Sequence, residues 1–275
     1  MSPPVATPYT AYRVARDGQR YYYRAASRPG GGRTPLVLVH GLGVSGAYWS
    51  RILSLLATHR PVYAVDLPGF GRTARPLVAL DVAGLARALA EWLTALDVPQ
   101  AHLMGHSAGG QVAAAFADAY PERAARLVLL ASTIGTHSPP LLRHLPGLLR
   151  DLVREGPSLL PVLVADGLRA GPRHILCTDA AIVADDMLGT VGRLAAPLLV
   201  IRGTRDTIVS EAETGLLLRA APHASSVAIP GAAHVAQWSH PADVAAAVAA
   251  FLEDAPDSEQ GWPGSAGVAP APRRA

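Results

Sequence analysis

Short apolar runs alternate along this chain with stretches whose apolar residues recur every three to four positions. Leu36–His40, Val62–Asp66, Ala101–Gly105, Arg126–Ala131 and Leu198–Ile201 are brief and nearly continuous in apolar character, as strands buried on both faces of a parallel sheet are. Between them, Tyr48–Thr58, Asp81–Leu96 and Gln111–Tyr120 predict helices, with Asp81 placed to cap the second. Near the start, Ala11–Ala15 and Gln19–Ala25 flank Asp17-Gly18, a hairpin signal, and Pro29–Arg33 with its three glycines predicts a linker. A short strand at Val227–Ile229 and a last helix at Val244–Glu253 complete the series. The fold class this predicts is α/β, a mostly parallel sheet flanked by helices.

The alternation breaks near Ile134 and resumes at Pro197. The interval carries Leu141, Leu142, Leu145, Leu148, Leu149, Leu152 and Val153 at helical spacing, interrupted by Pro146, and a second apolar cluster from Leu159 to Leu168. The division this predicts is an N-terminal core part over residues 1–133, a helical cap inserted over 134–193, a C-terminal core part over 194–254, and a disordered Pro-, Gly- and Ala-rich tail over 255–275. The polar face of the first cap segment (Arg143, His144, Arg150, Asp151, Arg154, Glu155) mixes both signs, which argues against docking on a membrane.

Composition narrows the chemistry. The length of 275 residues suits one large α/β domain, and with 50% apolar and 16% charged residues the core is substantial. All 24 basic residues are arginine, so neither a Schiff-base lysine nor a P-loop lysine is available. The net charge of +3 is spread along the chain, and nucleic-acid binding is not expected. Cys177 is the one cysteine, expected in the core or cap; it cannot form an internal disulfide, and no HExxH or paired-cysteine spacing points to a metal. The N-terminal Met-Ser-Pro-Pro-Val-Ala lacks the form of a secretory signal, and no apolar run approaches the ~20 residues of a membrane span. A cytoplasmic protein without stable membrane insertion is expected.

Residues 105–110 read Gly-His-Ser-Ala-Gly-Gly, between a predicted strand and a predicted helix. A serine flanked by small residues at such a corner is the signature of a nucleophile elbow, because the tight turn leaves no room for bulky neighbours. A hydroxyl nucleophile needs an imidazole to take its proton and a carboxylate to orient that imidazole. Asp206 follows the strand Leu198–Ile201, and His234 follows Val227–Ile229, so Ser107, Asp206 and His234 each stand just past a strand. The oxyanion needs two amide donors, predicted as the N–H groups of Ala108 and Leu42. His40 and His106 lie close in sequence to these groups and are expected to bond backbone rather than act as bases.

On His40-Gly41-x-Gly43, Asp66-Leu67-Pro68-Gly69-Phe70-Gly71, the elbow, Gly203-Thr204-Arg205-Asp206 and His234 ahead of Pro241, the chain resembles the α/β-hydrolase fold superfamily over residues 10–254, in its esterase- and lipase-like branch with a helical cap. The resemblance implies Ser107 as nucleophile, Asp206 as orienting acid, His234 as base, and Leu42 with Ala108 as oxyanion donors. Serine at 107 speaks against the haloalkane dehalogenase and epoxide hydrolase branches, and Ser132 and Thr133 leave no acid at the alternative position. The expected reaction is hydrolysis of a carboxylic ester, lactone or thioester of a mainly apolar small molecule, with no cofactor.

Three alternatives carry less of the pattern. Gly41-Leu42-Gly43-Val44-Ser45-Gly46, with Asp66 ending the next strand, fits a dinucleotide fingerprint but leaves the elbow, Asp206 and His234 unexplained. His234 through His240 resembles the meta-cleavage-product hydrolases, which cut carbon–carbon bonds, yet Val235 and His106 depart from that group; Trp238 and His240 are expected to pack on the last helix. A slow-turnover ligand sensor of this fold is the third.

Overall fold

The computed structural model describes residues 9–16, 18–27, 33–58 and 60–253. Asp17 of the hairpin turn, most of the glycine linker and the tail expected to be disordered lie outside them. In chain order come β1 (Thr10–Arg16), β2 (Gln19–Ala26), β3 (Leu36–Val39), α1 (Ser50–Leu56), β4 (Val62–Asp66), α2 (Val82–Ala95), β5 (Ala101–His106), α3 (Ala108–Ala119) and β6 (Ala124–Leu130). Four helices follow: α4 (Leu141–Glu155), α5 (Leu160–Ala170), α6 (Pro172–Val183) and α7 (Met187–Gly192). Then come β7 (Leu198–Gly203), α8 (Glu211–Ala220), β8 (Ala224–Ile229), α9 (Ala236–Ser239) and α10 (Pro241–Glu253).

The eight strands form one sheet in the order β1-β2-β4-β3-β5-β6-β7-β8. The β1–β2 hairpin and the β2–β4 pairing are antiparallel, and every pairing from β4 to β8 is parallel. The apolar runs are explained by burial on both faces. Val37, Val39, Leu103, Leu127 and Leu129 pack under α2, α3, α7 and α8, while Leu36, Leu38, Met104, Val128 and Leu130 pack under α1 and α10. Each such leucine or valine contributes about 1.5–3 kcal/mol over leaving it in water.

Helix ends follow local chemistry. Asp81 accepts from the Gly84 amide at 2.7 Å at the start of α2. Ser210 and Glu213 make a reciprocal capping box on α8. Two helices start three residues before their sequence patterns. In α3 the early residues Gly109 and Gly110 are poor helix formers, and in α10 Pro241 supplies a favourable first-turn residue that the pattern had passed over. Helix α4 runs through Pro146, giving up one main-chain hydrogen bond, where the sequence shows an interruption. Cys177 lies exposed on α6. Helix α7 sits in the layer of α3 and α8, with Met187 and Val191 in the core. Among the described residues no helix is long and apolar enough to cross a membrane.

Candidate active site

Ser107 occupies the corner between β5 and α3 with φ +53° and ψ −128°, a conformation that costs a non-glycine residue roughly 1–3 kcal/mol. The surroundings hold it there. A Cβ on Gly105 would lie 2.5 Å from the Gly110 Cα, and one on Gly109 would lie 2.5 Å from the Val39 carbonyl oxygen, so neither position admits a side chain.

The structure brings the three distant residues together. The Ser107 Oγ lies 3.2 Å from His234 Nε2, and His234 Nδ1 lies 3.1 Å from Asp206 Oδ2. The second carboxylate oxygen accepts from the amides of Ile208 and Val209 at 2.8 and 2.9 Å. With the carboxylate accepting the Nδ1 proton, Nε2 is left as the acceptor facing the hydroxyl. Both side chains of the pair are shielded from water, with Asp206 at 0% exposure and His234 at 5%. Burial pulls the imidazole down, but the Asp206 charge and hydrogen bond, with Asp151 and Glu155 nearby, hold it above its ordinary value. Burial likewise pushes the Asp206 carboxyl up, and the His234 charge, its hydrogen bond and the two loop amides bring it below the usual range.

Leu42 and Ala108, the expected amide donors, line one small hollow together with Ser107. Among the described residues the N–H groups of both donate to no protein acceptor, so both are available. The two extra histidines bond backbone. His40 Nδ1 donates to the Gly41 carbonyl at 2.8 Å and its Nε2 accepts from the Leu67 amide at 2.9 Å. His106 Nε2 donates to the His234 carbonyl at 2.9 Å. Burial, with His234 beside it, pushes His106 down to about 3, so it stays neutral at physiological pH.

Asp66 is spent on structure: one oxygen accepts from the Gly46 amide at 2.8 Å and from Arg24 at 3.1 Å, the other from the Arg72 amide at 2.9 Å. The side chain is fully buried, out of reach of a ribose. Trp238 packs under the Arg51 guanidinium, 4.3 Å from the ring centroid, and its Nε1 donates to Ser158 at 3.3 Å; it meets α1 and the connection after α4 rather than the last helix alone. His240 bonds Ser239 and accepts the Val244 amide at the start of α10.

A cavity of about 320 Å³ opens over Ser107, with α4 as one wall presenting Leu141, Leu145, Leu148 and Leu152. The polar groups of that wall were misassigned by the sequence pattern. Asp151 and Glu155, expected on a mixed solvent face, are only 2% and 4% exposed and turn toward the core, leaving Arg143, Arg150 and Arg154 outside. Their four-residue spacing was the available signal. A second hollow of about 400 Å³ lies between α1 and α10, remote from Ser107. Among the described residues no group of three or more His, Cys, Asp or Glu is arranged to hold a metal.

A family model described as the alpha/beta hydrolase fold matches residues 34–159. Over 164 residues the chain is 37% identical to a 1-acylglycerol-3-phosphate O-acyltransferase of Mus musculus, covering 57% of this chain and 46% of that protein. It is 33% identical over 245 residues to the dihydrolipoyllysine-residue acetyltransferase component of an acetoin cleaving system of Pseudomonas putida, covering 81% of this chain and 64% of that protein. The chain thus spans about half to two thirds of the length of these relatives. Among solved structures, it superposes on an N-acyl homoserine lactone degrading enzyme with a TM-score of 0.76 and 25% identity, covering 87% of this chain and 99% of the other. Sheet order, elbow and these likenesses agree: the chain has the alpha/beta hydrolase fold.

Proposed function

We propose that this protein is a serine hydrolase that cleaves a carboxylic ester, lactone or thioester of a mainly apolar small molecule through an acyl-enzyme on Ser107. The observation that carries this reading is the continuous hydrogen-bond chain from the Ser107 hydroxyl through His234 to Asp206, at 3.2 and 3.1 Å, on the floor of a leucine-walled cavity. His234 Nε2 takes the hydroxyl proton as Oγ attacks the carbonyl carbon, and the amides of Leu42 and Ala108 receive the developing oxyanion. The imidazolium then protonates the leaving alcohol or thiol. Water attacks the acyl carbon as His234 takes its proton, and the acyl–Oγ bond breaks as the imidazolium returns that proton to Ser107, releasing the acid. The leucines of α4 select an apolar acyl or alcohol portion. The lactone-degrading enzyme of similar structure supports hydrolytic use of this scaffold.

A second outcome of the same acyl-enzyme is transfer to an alcohol or thiol, favoured by the two relatives named for acyl transfer. The experiment is a panel of chromogenic esters of graded chain length, run with a vinylogous diketone and with a competing alcohol acceptor, on wild type and Ser107→Ala. Ester turnover and active-site phosphonate labelling that both vanish in a folded Ser107→Ala are the expected result. Labelling that persists in the variant refutes the assignment. Diketone cleavage without ester cleavage replaces it by carbon–carbon hydrolysis, and a new ester formed from the alcohol in preference to free acid replaces it by acyl transfer.

A further inference from the structure

The acid and the base of the triad come from different strand ends, Asp206 after β7 and His234 after β8. One face of α4 bonds the residue that follows each of them. Asp151 Oδ2 accepts the Thr207 amide at 3.0 Å, and Glu155 Oε1 accepts the Val235 amide at 2.7 Å. Around the first contact, Arg154 bridges Asp151 at 3.1 Å to the Arg205 carbonyl at 2.9 Å, and the Thr207 hydroxyl donates to the Gly147 carbonyl at 3.1 Å. The two carboxylates are one helical turn apart, so a rigid helix sets the distance between the two loops. A buried carboxylate left without its amide partners would be costly, which makes the seat of α4 specific.

We propose that Asp151 and Glu155 are positioning residues of the triad: they clamp the Asp206 loop through Thr207 and the His234 loop through Val235, so that acid and base are in register only when α4 is seated. This rests on the hydrolytic reading above. The contacts also have an electrostatic side. The titratable groups around the His234 imidazole are Asp206, the neutral His106 from the elbow, and Asp151, Glu155 and His144 from α4. Of these, the three carboxylates favour the charged imidazole, and burial opposes it. Burial also raises Glu155 itself above the usual carboxylate range, with the Ser239 hydroxyl and the bond to the Val235 amide pulling the other way.

The test is Glu155→Gln, Glu155→Ala and Asp151→Asn, assayed for kcat, KM and the pH profile of kcat/KM on a chromogenic ester, with phosphonate titration of Ser107 counting competent sites. In Glu155→Gln the amide oxygen still accepts the Val235 N–H, so kcat at alkaline pH stays near wild type while the acid limb moves to lower pH by about 0.3 unit or more. In Glu155→Ala the loop loses its acceptor; kcat drops about tenfold to a hundredfold with KM little changed, a loss that the glutamine variant restores. Asp151→Asn shifts the limb in the same direction. The proposal is overturned by an unmoved acid limb in both amide variants, by a loss in Glu155→Ala that lies in KM, or by a loss that Gln does not restore. Should Glu155→Ala fail to fold, Asp151→Ala, which removes the acceptor of the Thr207 amide, is put to the same kcat, KM and titration measurements, with Asp151→Asn as its rescue. Wild-type enzyme that neither turns over esters nor titrates with the phosphonate would instead sink the hydrolytic reading, which separates the two failures.

Discussion

Replacing Asp206 by asparagine isolates one function of the acid from its role in holding the loop. One carboxylate oxygen accepts the Ile208 and Val209 amides at 2.8 and 2.9 Å, and an asparagine oxygen can keep both bonds. Its NH₂ must then occupy the place of the oxygen that faces His234 Nδ1 at 3.1 Å. Two donors cannot face each other, so the imidazole presents a lone pair at Nδ1 and carries its proton on Nε2. That proton points at the Ser107 hydroxyl, and the ring can no longer accept from it. In serine proteases that use the same triad, this tautomer error costs about 10⁴ in kcat, or about 5.5 kcal/mol at 1.36 kcal/mol per tenfold. The fold is spared because the loop amides keep their acceptor. The assay is kcat on a chromogenic ester, normalised by active-site titration, beside a thermal melt. A folded Asp206→Asn enzyme within tenfold of wild type would refute the reasoning and require a different acid.

Three further outcomes follow from the same geometry. Because His234 is held above its ordinary 6.5 and must be neutral to act as base, kcat/KM falls as pH drops through a value above 6.5; an acid limb below 6.5 in a pH-rate profile contradicts the pairing with Asp206. Gly109→Ala places a Cβ 2.5 Å from the Val39 carbonyl oxygen, and calorimetry should show a loss of about 1–3 kcal/mol; an unchanged Tm would mean that the helix–strand approach is not tight. His102 is buried in β5, and burial together with Arg60 and Arg126 pushes it down to about 3. Its folded value lies below the unfolded one, so the unfolded chain takes the proton first, and stability falls from about pH 6.5 towards 3 by about 1.4 kcal/mol per unit. Urea midpoints at neutral and mildly acid pH should show this slope, and His102→Gln should reduce it without abolishing it, since His106 is also held at about 3. An identical slope in the variant would count against the burial of His102.

The strands were legible because burial on both faces leaves an uninterrupted apolar run, and Val62–Asp66 appears in the sheet with the bounds its pattern shows. The grouping of Ser107, Asp206 and His234 was legible because each follows such a run, and topology then carries strand ends to one edge of the sheet. Helix starts were less so. Gly109-Gly110 reads as a poor helix, yet the close approach to β3 requires glycine at 109, and the Ser132 side chain crowds 110. The role of α4 was hidden for a different reason. A helix with apolar and charged residues shows which positions differ but not which charges face inward, and Asp151 and Glu155 turn in because backbone amides on two distant loops await them.

The placement of α4 to α7 between β6 and β7 has a consequence for how activity arises. Ser107 belongs to the first portion of the chain, and Asp206 and His234 to the last, with all four helices intervening. The sheet must close across that long loop, pairing Leu127–Leu130 with Leu198–Ile201, before the Ser107 hydroxyl can meet the His234 ring. Recovery of ester turnover in a refolding experiment therefore clocks the joining of the two ends of the chain, and burial of the tryptophans Trp49 and Trp92, both in the first portion, can precede it.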